Sequence, residues 1–260
     1  MTDQASPESG STLDWQTKLS DVEVPAWVTT LARGRPVEPV WRNEDCGITF
    51  AIDGGVTYLK VQQPGSDWDP EAEVARLAWL RDYAPCPVVL DRGERSGLHW
   101  LLTSGLPGRS AVDRRWRLRP EVAVPALGAA LRRFHDTVPA SRCPFTWSVG
   151  DRVTRFTLSR VFLHRGPPLD PVVCHGDACN PNFLLDDVGG FVGYVDVGSL
   201  GIADRWADLA PALMSLSWNY GPGWEPAFLE AYGVEPDDSK RTFYAALWDG
   251  VGEAMDRAGG

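Results

Sequence analysis

The sequence has no apolar run that approaches the length of about 18 residues needed for a membrane-spanning helix. Its N-terminus, MTDQASPESGST, is polar and acidic, unlike a signal peptide. The five cysteines form no C-x-x-C pair and have no histidine at a zinc-binding spacing. Acidic residues outnumber basic ones by 35 to 25, and the net charge of −10 argues against nucleic acid as the main partner. We therefore expect a cytoplasmic protein with reduced thiols that makes no membrane contact and prefers a cationic partner.

The composition and the order of patterns indicate a folded protein with two lobes. The 260 residues are 43% hydrophobic and include 12 tryptophans, which is ample for a core. Residues 37–103 contain five strand-like segments and one helix, predicted at 70–82, whereas helical patterns dominate after LPGRS at 106–110. We expect an α+β, bilobal fold. Its parts are a flexible tail at 1–20, a small antiparallel-sheet lobe with one helix at 21–105, and a larger, mainly helical lobe at 106–260.

The predicted helix at 70–82 carries a carboxylate on its apolar face. Asp69 suits the N-cap, and Glu73, Leu77 and Leu80 follow at positions that share one face. An inward glutamate is costly unless it meets a cation, and the preceding strand GVTYLKV offers Lys60. One interpretation is an ion pair that directs the lysine ammonium at a phosphate. The other is a glutamate at the edge of the apolar stripe that reaches water.

A polar cluster interrupts the apolar segment 172–185, whose sequence is VVCHGDACNPNFLL. The two apolar runs after it flank a turn-rich loop and predict a β-hairpin in which Leu185 pairs with Phe191. In that register Asn182 lies opposite Tyr194, and Asp196 follows on the same face. With Asp177 just upstream, Asp177, Asn182 and Asp196 would converge at one end of the hairpin. Mg²⁺ binds through oxygen ligands of this kind.

Three features of the sequence match eukaryotic-type kinases. They are the spacing H-x-D-x-x-x-x-N of the catalytic loop, a second aspartate after a hairpin at the metal-binding position, and the inward Lys and Glu. The segments HGDACNPNFLLDD, YVDVGSLGIADRWADLA and EAEVARLAWL resemble the aminoglycoside phosphotransferases, in particular the 3′ and 3″ types. The resemblance covers roughly residues 37–248. It implies a protein-kinase-like fold that uses ATP and Mg²⁺.

The resemblance also implies a role for each matching residue. Asp177 would orient or deprotonate the acceptor hydroxyl, and Asn182 and Asp196 would hold the metal. Lys60 would contact the α- and β-phosphates, and Glu73 would position Lys60.

Four further residues are assigned to the nucleotide by the same resemblance. The turn EDCGITF, at 44–50, would cover the phosphates, with Gly47 allowing close backbone approach and Thr49 offering a hydroxyl. Adenine would meet the backbone between Ser104 and Leu106.

The acceptor side departs from the family. About 25 residues separate Phe145 from the catalytic loop, where family members usually carry a long helical insertion. The usual terminal acidic pair is matched here by Trp248 and Asp249. We expect the acceptor to meet acidic and aromatic side chains of the C-terminal third. The candidates, which could equally be ordinary helix surface and core, are Asp208, Glu225, Glu230, Trp218 and Asp249.

The resulting hypothesis is an ATP- and Mg²⁺-dependent O-phosphotransferase that acts on a hydroxyl of a small cationic molecule, with an aminoglycoside-type antibiotic as the first candidate. Its partners would be a nucleoside triphosphate and the small-molecule acceptor. One alternative is a metabolite kinase of the same fold, for an amino sugar or an amino alcohol. A nucleotide-binding pseudoenzyme is the alternative from another class, although the lysine, aspartate and asparagine are all present.

Overall fold

The computed structural model describes residues 19, 21–43, 46–66, 68–155, 158, 163, 166, 167 and 169–249. Nearly all of the predicted tail, 1–20, lies outside this part of the chain. The fold is α+β and bilobal, as predicted. No helix in the described ranges has both the length and the apolar character needed to cross a membrane.

The N-terminal lobe is built on one antiparallel sheet of five strands in the order β1-β2-β3-β5-β4. The five strands, which include parts of all five predicted segments, are β1 Val37–Arg42, β2 Ile48–Ile52, β3 Thr57–Gln62, β4 Val89–Arg95 and β5 Leu98–Ser104. The helix α1, Ala26–Leu31, precedes the sheet, and Val28 from this helix joins a small core with Phe50 and Leu59. Helix α1 was not predicted, because six residues with one buried position show no periodicity.

The helix α2, Pro70–Leu80, confirms the prediction at 70–82 to within two residues. The Asp69 carboxylate accepts hydrogen bonds from the backbone N–H groups of Glu71 (3.0 Å) and Ala72 (3.1 Å), which satisfies two donors that the helix start leaves without partners. Leu77 and Leu80 are buried on the same face as Glu73. The helix therefore turns one carboxylate toward the protein interior.

The C-terminal lobe is mainly helical and contains two small sheets. One sheet has the order β6-β8-β9 and the other pairs β10 with β7. The strands are β6 Arg109–Ser110, β7 Pro171–Cys174, β8 Phe183–Leu185, β9 Phe191–Tyr194 and β10 Gly201–Asp204. The helices are α3 Arg114–Arg117, α4 Pro120–Thr137, α5 Val149–Arg155, α6 Trp206–Tyr220, α7 Glu225–Tyr232 and α8 Asp238–Asp249.

Helix α4 is the central support of this lobe. A Cβ atom on Gly128 would lie 2.4 Å from the backbone oxygen of Phe228, so α4 and α7 approach more closely than any side chain at this position would permit. On another side, the Tyr194 hydroxyl at the end of β9 donates a 2.8 Å hydrogen bond to the backbone oxygen of Ala130. The hairpin β8–β9 is thereby fixed to the helical core.

The register of this hairpin corrects one prediction. Leu185 pairs with Phe191 as expected, but Tyr194 lies opposite Phe183 and not opposite Asn182. The register shifts between Leu184 and Leu185, as a β-bulge does when two residues of one strand oppose one of the other. The bulge falls in the strand that leads to Asp196.

A buried ion pair fixes α8 to the start of α6. The Asp204 carboxylate is fully buried; it accepts hydrogen bonds from Lys240 Nζ (2.6 Å) and from the backbone N–H groups of Asp170 (2.8 Å) and Trp206 (2.9 Å). Lys240→Met would leave this carboxylate buried without its cation. We expect the free energy of unfolding to fall by about 3–5 kcal/mol and the melting temperature by about 10 °C.

Thermal unfolding followed by circular dichroism measures this loss. The matched control is Arg241→Met, which removes an exposed cation from the next position of the same helix and should change the melting temperature by about 1–2 °C at most. Equal melting temperatures for the two variants would show that Lys240 does not stabilise the buried carboxylate.

Candidate active site

The lysine on β3 and the glutamate on α2 form the predicted ion pair. Lys60 Nζ lies 3.1 Å from Glu73 Oε2 and 2.8 Å from Asp196 Oδ1. The Glu73 side chain is 6% exposed, which excludes the interpretation that it reaches water. Burial opposes the charged form of Lys60, but the Asp196 and Glu73 carboxylates outweigh this effect and raise its pKa. The lysine is therefore a permanent cation between two carboxylates.

The segment after β7 places Asp177 beside Asn182. Asn182 Nδ2 donates hydrogen bonds to the backbone oxygen of Asp177 (2.9 Å) and to its carboxylate Oδ2 (3.1 Å). Because both amide hydrogens are directed at Asp177, the amide oxygen of Asn182 is turned away and can bind a cation. The other Asp177 oxygen, Oδ1, is buried and has no N–H or O–H partner within the described residues. A buried carboxylate oxygen without such a partner is uncommon in folded proteins and marks Asp177 as a candidate for a functional role.

The pKa values of the two aspartates of the site, Asp177 and Asp196, are shifted in opposite directions. Burial, and then the nearby charge of Asp196, raise the pKa of Asp177. Partial burial raises the pKa of Asp196, but the charge and hydrogen bond of Lys60 outweigh it and lower the pKa overall. Asp196 also has a left-handed backbone, with φ of 59°, a conformation that is uncommon for non-glycine residues although aspartate adopts it more readily than most. One carboxylate is thus the better base and the other the better cation ligand.

Asp208 corrects a second prediction. It is fully buried and does not belong to an exposed acceptor surface. Its carboxylate accepts hydrogen bonds from the backbone N–H groups of His175 (2.6 Å) and Gly176 (2.8 Å), and Oδ2 lies 3.0 Å from His135 Nε2. His175 in turn contacts the backbone oxygen of Val195 at 3.0 Å through Nε2. Asp208 therefore holds the backbone that leads into Asp177.

A cavity of about 870 Å³ lies between the lobes. Residues from both lobes line it, and they include all four residues assigned to the nucleotide as well as the ion pair and both metal-ligand candidates: Gly47, Thr49, Lys60, Glu73, Ser104, Leu106, Asn182 and Asp196. Its size suits a nucleotide or a drug-sized ligand. The structure thus brings together the nucleotide and metal candidates.

Side-chain hydrogen bonds hold the turn at Gly47 and the end of β5 at Ser104. The Gly47 N–H donates to Asn43 Oδ1 (2.6 Å), and Asn43 Nδ2 donates to Gln62 Oε1 (2.9 Å). A Cβ atom on Gly47 would lie 2.5 Å from Gln62 Oε1, so this packing requires glycine or a shift of the glutamine. Ser104 Oγ accepts a 2.9 Å hydrogen bond from the Val88 N–H, and the Ser104 N–H donates a 2.8 Å hydrogen bond to the Val88 backbone oxygen. The Ser104 N–H is therefore already paired and is not available to a ligand.

Three of the remaining acceptor candidates, Glu225, Glu230 and Trp218, do not line this cavity. Glu225 accepts hydrogen bonds from Ser217 Oγ (3.2 Å) and the Gly223 N–H (3.1 Å), which are local contacts at the start of α7. Glu230 is exposed on α7. Trp218 is 49% exposed and packs against Trp248, with ring centroids 5.8 Å apart. The Asp249 side chain lies outside the described part of the chain.

Trp68 is a site residue that the sequence analysis missed. Its indole Nε1 donates a hydrogen bond to Glu73 Oε2, the same oxygen that contacts Lys60. Lys60 Nζ also lies 5.0 Å from the centroid of the Trp68 ring, which is within cation–π range. The sequence shows only that a tryptophan directly precedes the N-cap aspartate. That position does not predict a hydrogen bond from the tryptophan to the inward glutamate five residues later.

Comparison with known proteins finds relatives over most of the chain. The model of the phosphotransferase enzyme family, APH, matches residues 49–156 and 148–244. The aminoglycoside 3′-phosphotransferase of Streptomyces fradiae is 32% identical over 220 residues, which is 70% of this chain and 80% of that protein. The streptomycin 3″-kinase of Streptomyces griseus is 33% identical over 252 residues, 80% of this chain and 89% of that protein.

A solved structure extends the likeness to three dimensions. The aminoglycoside phosphotransferase APH(3″)-Id from Streptomyces rimosus, in complex with ADP and streptomycin, superposes with a TM-score of 0.65 at 29% identity over 87% of this chain and 97% of that chain. Fold and site together define an enzyme with the protein-kinase-like architecture. The chain belongs to the phosphotransferase enzyme family that includes the aminoglycoside phosphotransferases.

Proposed function

We propose that the protein transfers the γ-phosphate of ATP to a hydroxyl group of a small cationic acceptor, an aminoglycoside, in an Mg²⁺-dependent reaction. The observation that carries the proposal is the placement of Lys60, Glu73, Asn182 and Asp196 around one cavity, with Asp177 bonded to Asn182. The names of the relatives support an aminoglycoside as the acceptor.

The oxygen donors of the site fit Mg²⁺. Asp196 offers its second carboxylate oxygen, since Oδ1 is bonded to Lys60, and Asn182 offers its amide oxygen. Hard oxygen ligands in this small number are typical of Mg²⁺ sites, where phosphate and water supply the rest. When bound, the ion would neutralise charge on the phosphates during transfer.

The protein's own groups account for the remaining tasks. Asp177 accepts the proton of the acceptor hydroxyl, whose oxygen then bonds to the γ-phosphorus as the bond from that phosphorus to the bridging oxygen of ADP breaks. A raised pKa makes Asp177 a better base than an ordinary aspartate. Lys60 provides a cation for the phosphates that leave with ADP, and Glu73 fixes its position.

Acceptor identity is tested by mass spectrometry. Purified protein with Mg²⁺ and ATP is incubated with streptomycin, kanamycin, an amino sugar and a small amino alcohol, and with Asp177→Asn protein as the control. The proposal is supported if an aminoglycoside gains one phosphate with the unchanged protein and not with the Asp177→Asn protein. Phosphorylation confined to the amino sugar or amino alcohol identifies a metabolite kinase, and ATP binding without any transfer identifies a pseudoenzyme.

Binding of a kanamycin-like acceptor should be weak and salt-dependent. The family commonly ends on an acidic pair, and Trp248 stands here in place of one carboxylate. Loss of one charge-assisted contact weakens binding by about 1.5–3 kcal/mol, which raises KM roughly tenfold to a hundredfold. We expect Trp248→Asp to lower the KM for kanamycin and to leave the KM for ATP unchanged. Saturation of the unchanged protein at low micromolar kanamycin, independent of salt, would contradict this expectation.

A further inference from the structure

We propose that Trp68 is a positioning residue of the nucleotide site, which holds the Glu73 carboxylate, and through it the Lys60 ammonium, in the orientation needed for phosphate binding. The inference rests on the proposed role of Lys60 in binding ATP. Neither the family resemblance nor the comparisons assign a role to this tryptophan.

The contacts of Trp68 converge on one ion pair from two directions. The indole N–H donates to Glu73 Oε2, and the ring face lies 5.0 Å from Lys60 Nζ. Trp68 directly precedes Asp69, the N-cap of α2, and Glu73 is the fourth residue of that helix. Side chains at these two positions of a helix start often meet.

The chain after Asp196 passes near the same side chain. A Cβ atom added to Gly198 would lie 3.6 Å from Glu73 Cβ and 3.7 Å from Glu73 Oε2, which is ordinary van der Waals distance, so the space between this backbone and Glu73 admits only a small group. Glu73 Oε2 itself is held by the indole N–H and the lysine ammonium.

The Trp68 N–H is an uncharged donor to Glu73, a carboxylate that shares its cation, Lys60, with Asp196. Lys60 is divided between Glu73 and Asp196, at 3.1 and 2.8 Å. A lysine that turns toward phosphate weakens both contacts, and Glu73 would then be a buried carboxylate without sufficient partners, which is costly. The Trp68 N–H keeps Glu73 satisfied without bringing another positive charge that would repel the ammonium. Lys60 can then turn to the phosphates while Glu73 stays in place.

The test separates the N–H group from the ring. Trp68→Phe keeps an aromatic face near Lys60 but removes the donor, and Trp68→Leu removes both. The matched control is Trp79→Phe, which changes a half-buried tryptophan on the same α2 helix that packs on Tyr83 and Phe145. Binding of Mg²⁺ and ATP is measured by calorimetry without acceptor, and kcat and KM are measured for ATP and for the acceptor separately.

We expect Trp68→Phe to raise the Kd and the KM for ATP about fivefold to tenfold and Trp68→Leu to raise them further. The acceptor KM should stay within about twofold, and melting temperatures should match that of the Trp79→Phe control. Glu73→Ala removes the carboxylate oxygen that accepts the indole hydrogen bond. In that background, Trp68→Phe should change kcat/KM for ATP by less than about twofold.

Two results would overturn the inference. One is an unchanged Kd and KM for ATP in both Trp68 variants, and the other is an equal effect of Trp68→Phe with and without Glu73. The unchanged protein distinguishes failure of the inference from failure of the proposed function. If it binds no Mg²⁺–ATP, both are wrong, whereas tight binding that is insensitive to Trp68 removes the positioning role alone.

Discussion

Asp177→Asn should lower kcat by roughly 10²- to 10⁴-fold while the fold and the affinity for ATP stay nearly unchanged. An asparagine side chain has the size of the aspartate and can still accept the hydrogen bond from Asn182 Nδ2. It cannot take up the proton of the acceptor hydroxyl, and it lacks the negative charge that would orient that hydroxyl. Steady-state kinetics at saturating ATP and acceptor measure the effect, and calorimetry with ATP measures the affinity.

A second aspartate provides the control for this experiment. Asp136 lies on α4 in an exposed ion pair with Arg132, at 2.7 Å, and Asp136→Asn removes one carboxylate from a place remote in sequence from the catalytic segment. Its kcat should stay within about twofold of the unchanged protein, because exposed ion pairs contribute little to stability. Near-normal turnover of Asp177→Asn would remove Asp177 from the chemical step.

Local periodicity made the Lys60–Glu73 pair predictable from sequence. The N-cap aspartate, the apolar spacing after it and the alternation of the preceding strand each depend on neighbouring residues, and all three agree with the structure. The hairpin was harder, because a β-bulge gives no signal in the alternation of apolar and polar residues. The turn was predicted correctly, whereas the pairing of Asn182 was wrong by one residue.

Contacts between distant segments were the part that the sequence could not supply. Asp208 lies in the first turn of α6, where an acidic residue is favoured by the helix dipole and needs no buried partner to account for it. Its partners His175 and Gly176 are 33 and 32 residues away along the chain, so nothing in the local pattern marks it as buried. Trp68 was missed for a related reason, since its N–H partner depends on the direction in which Glu73 points.

The arrangement of the two lobes gives Asp177 and Asp196 different pKa values, as their different roles require. Burial raises the pKa of Asp177, and the Lys60 ammonium counters burial at Asp196 and lowers its pKa. The fold sets this difference by placing the lysine of the small lobe 2.8 Å from one carboxylate of the large lobe. A lobe movement that separated Lys60 from Asp196 would therefore change metal binding and phosphate binding together.

This shared contact leads to the expectation that Asp196→Ala abolishes the Mg²⁺ dependence of nucleotide binding. The substitution removes the anionic ligand that offsets the charge of the ion. It also frees Lys60 from its 2.8 Å contact and leaves it paired with Glu73 alone, at 3.1 Å. Loss of the ion weakens the hold on the phosphates, so we expect the affinity for ATP to fall at least about a hundredfold when Mg²⁺ is present.

Calorimetry with ATP in the presence of Mg²⁺ and in the presence of a chelator measures the contribution of the ion directly. The unchanged protein should bind much more tightly with Mg²⁺, and Asp196→Ala should bind equally weakly in both conditions. Asp196→Asn separates the two effects, because the amide oxygen can still accept a hydrogen bond from Lys60 but carries no charge for the ion. An affinity of Asp196→Ala for Mg²⁺–ATP equal to that of the unchanged protein would show that the ion is held elsewhere.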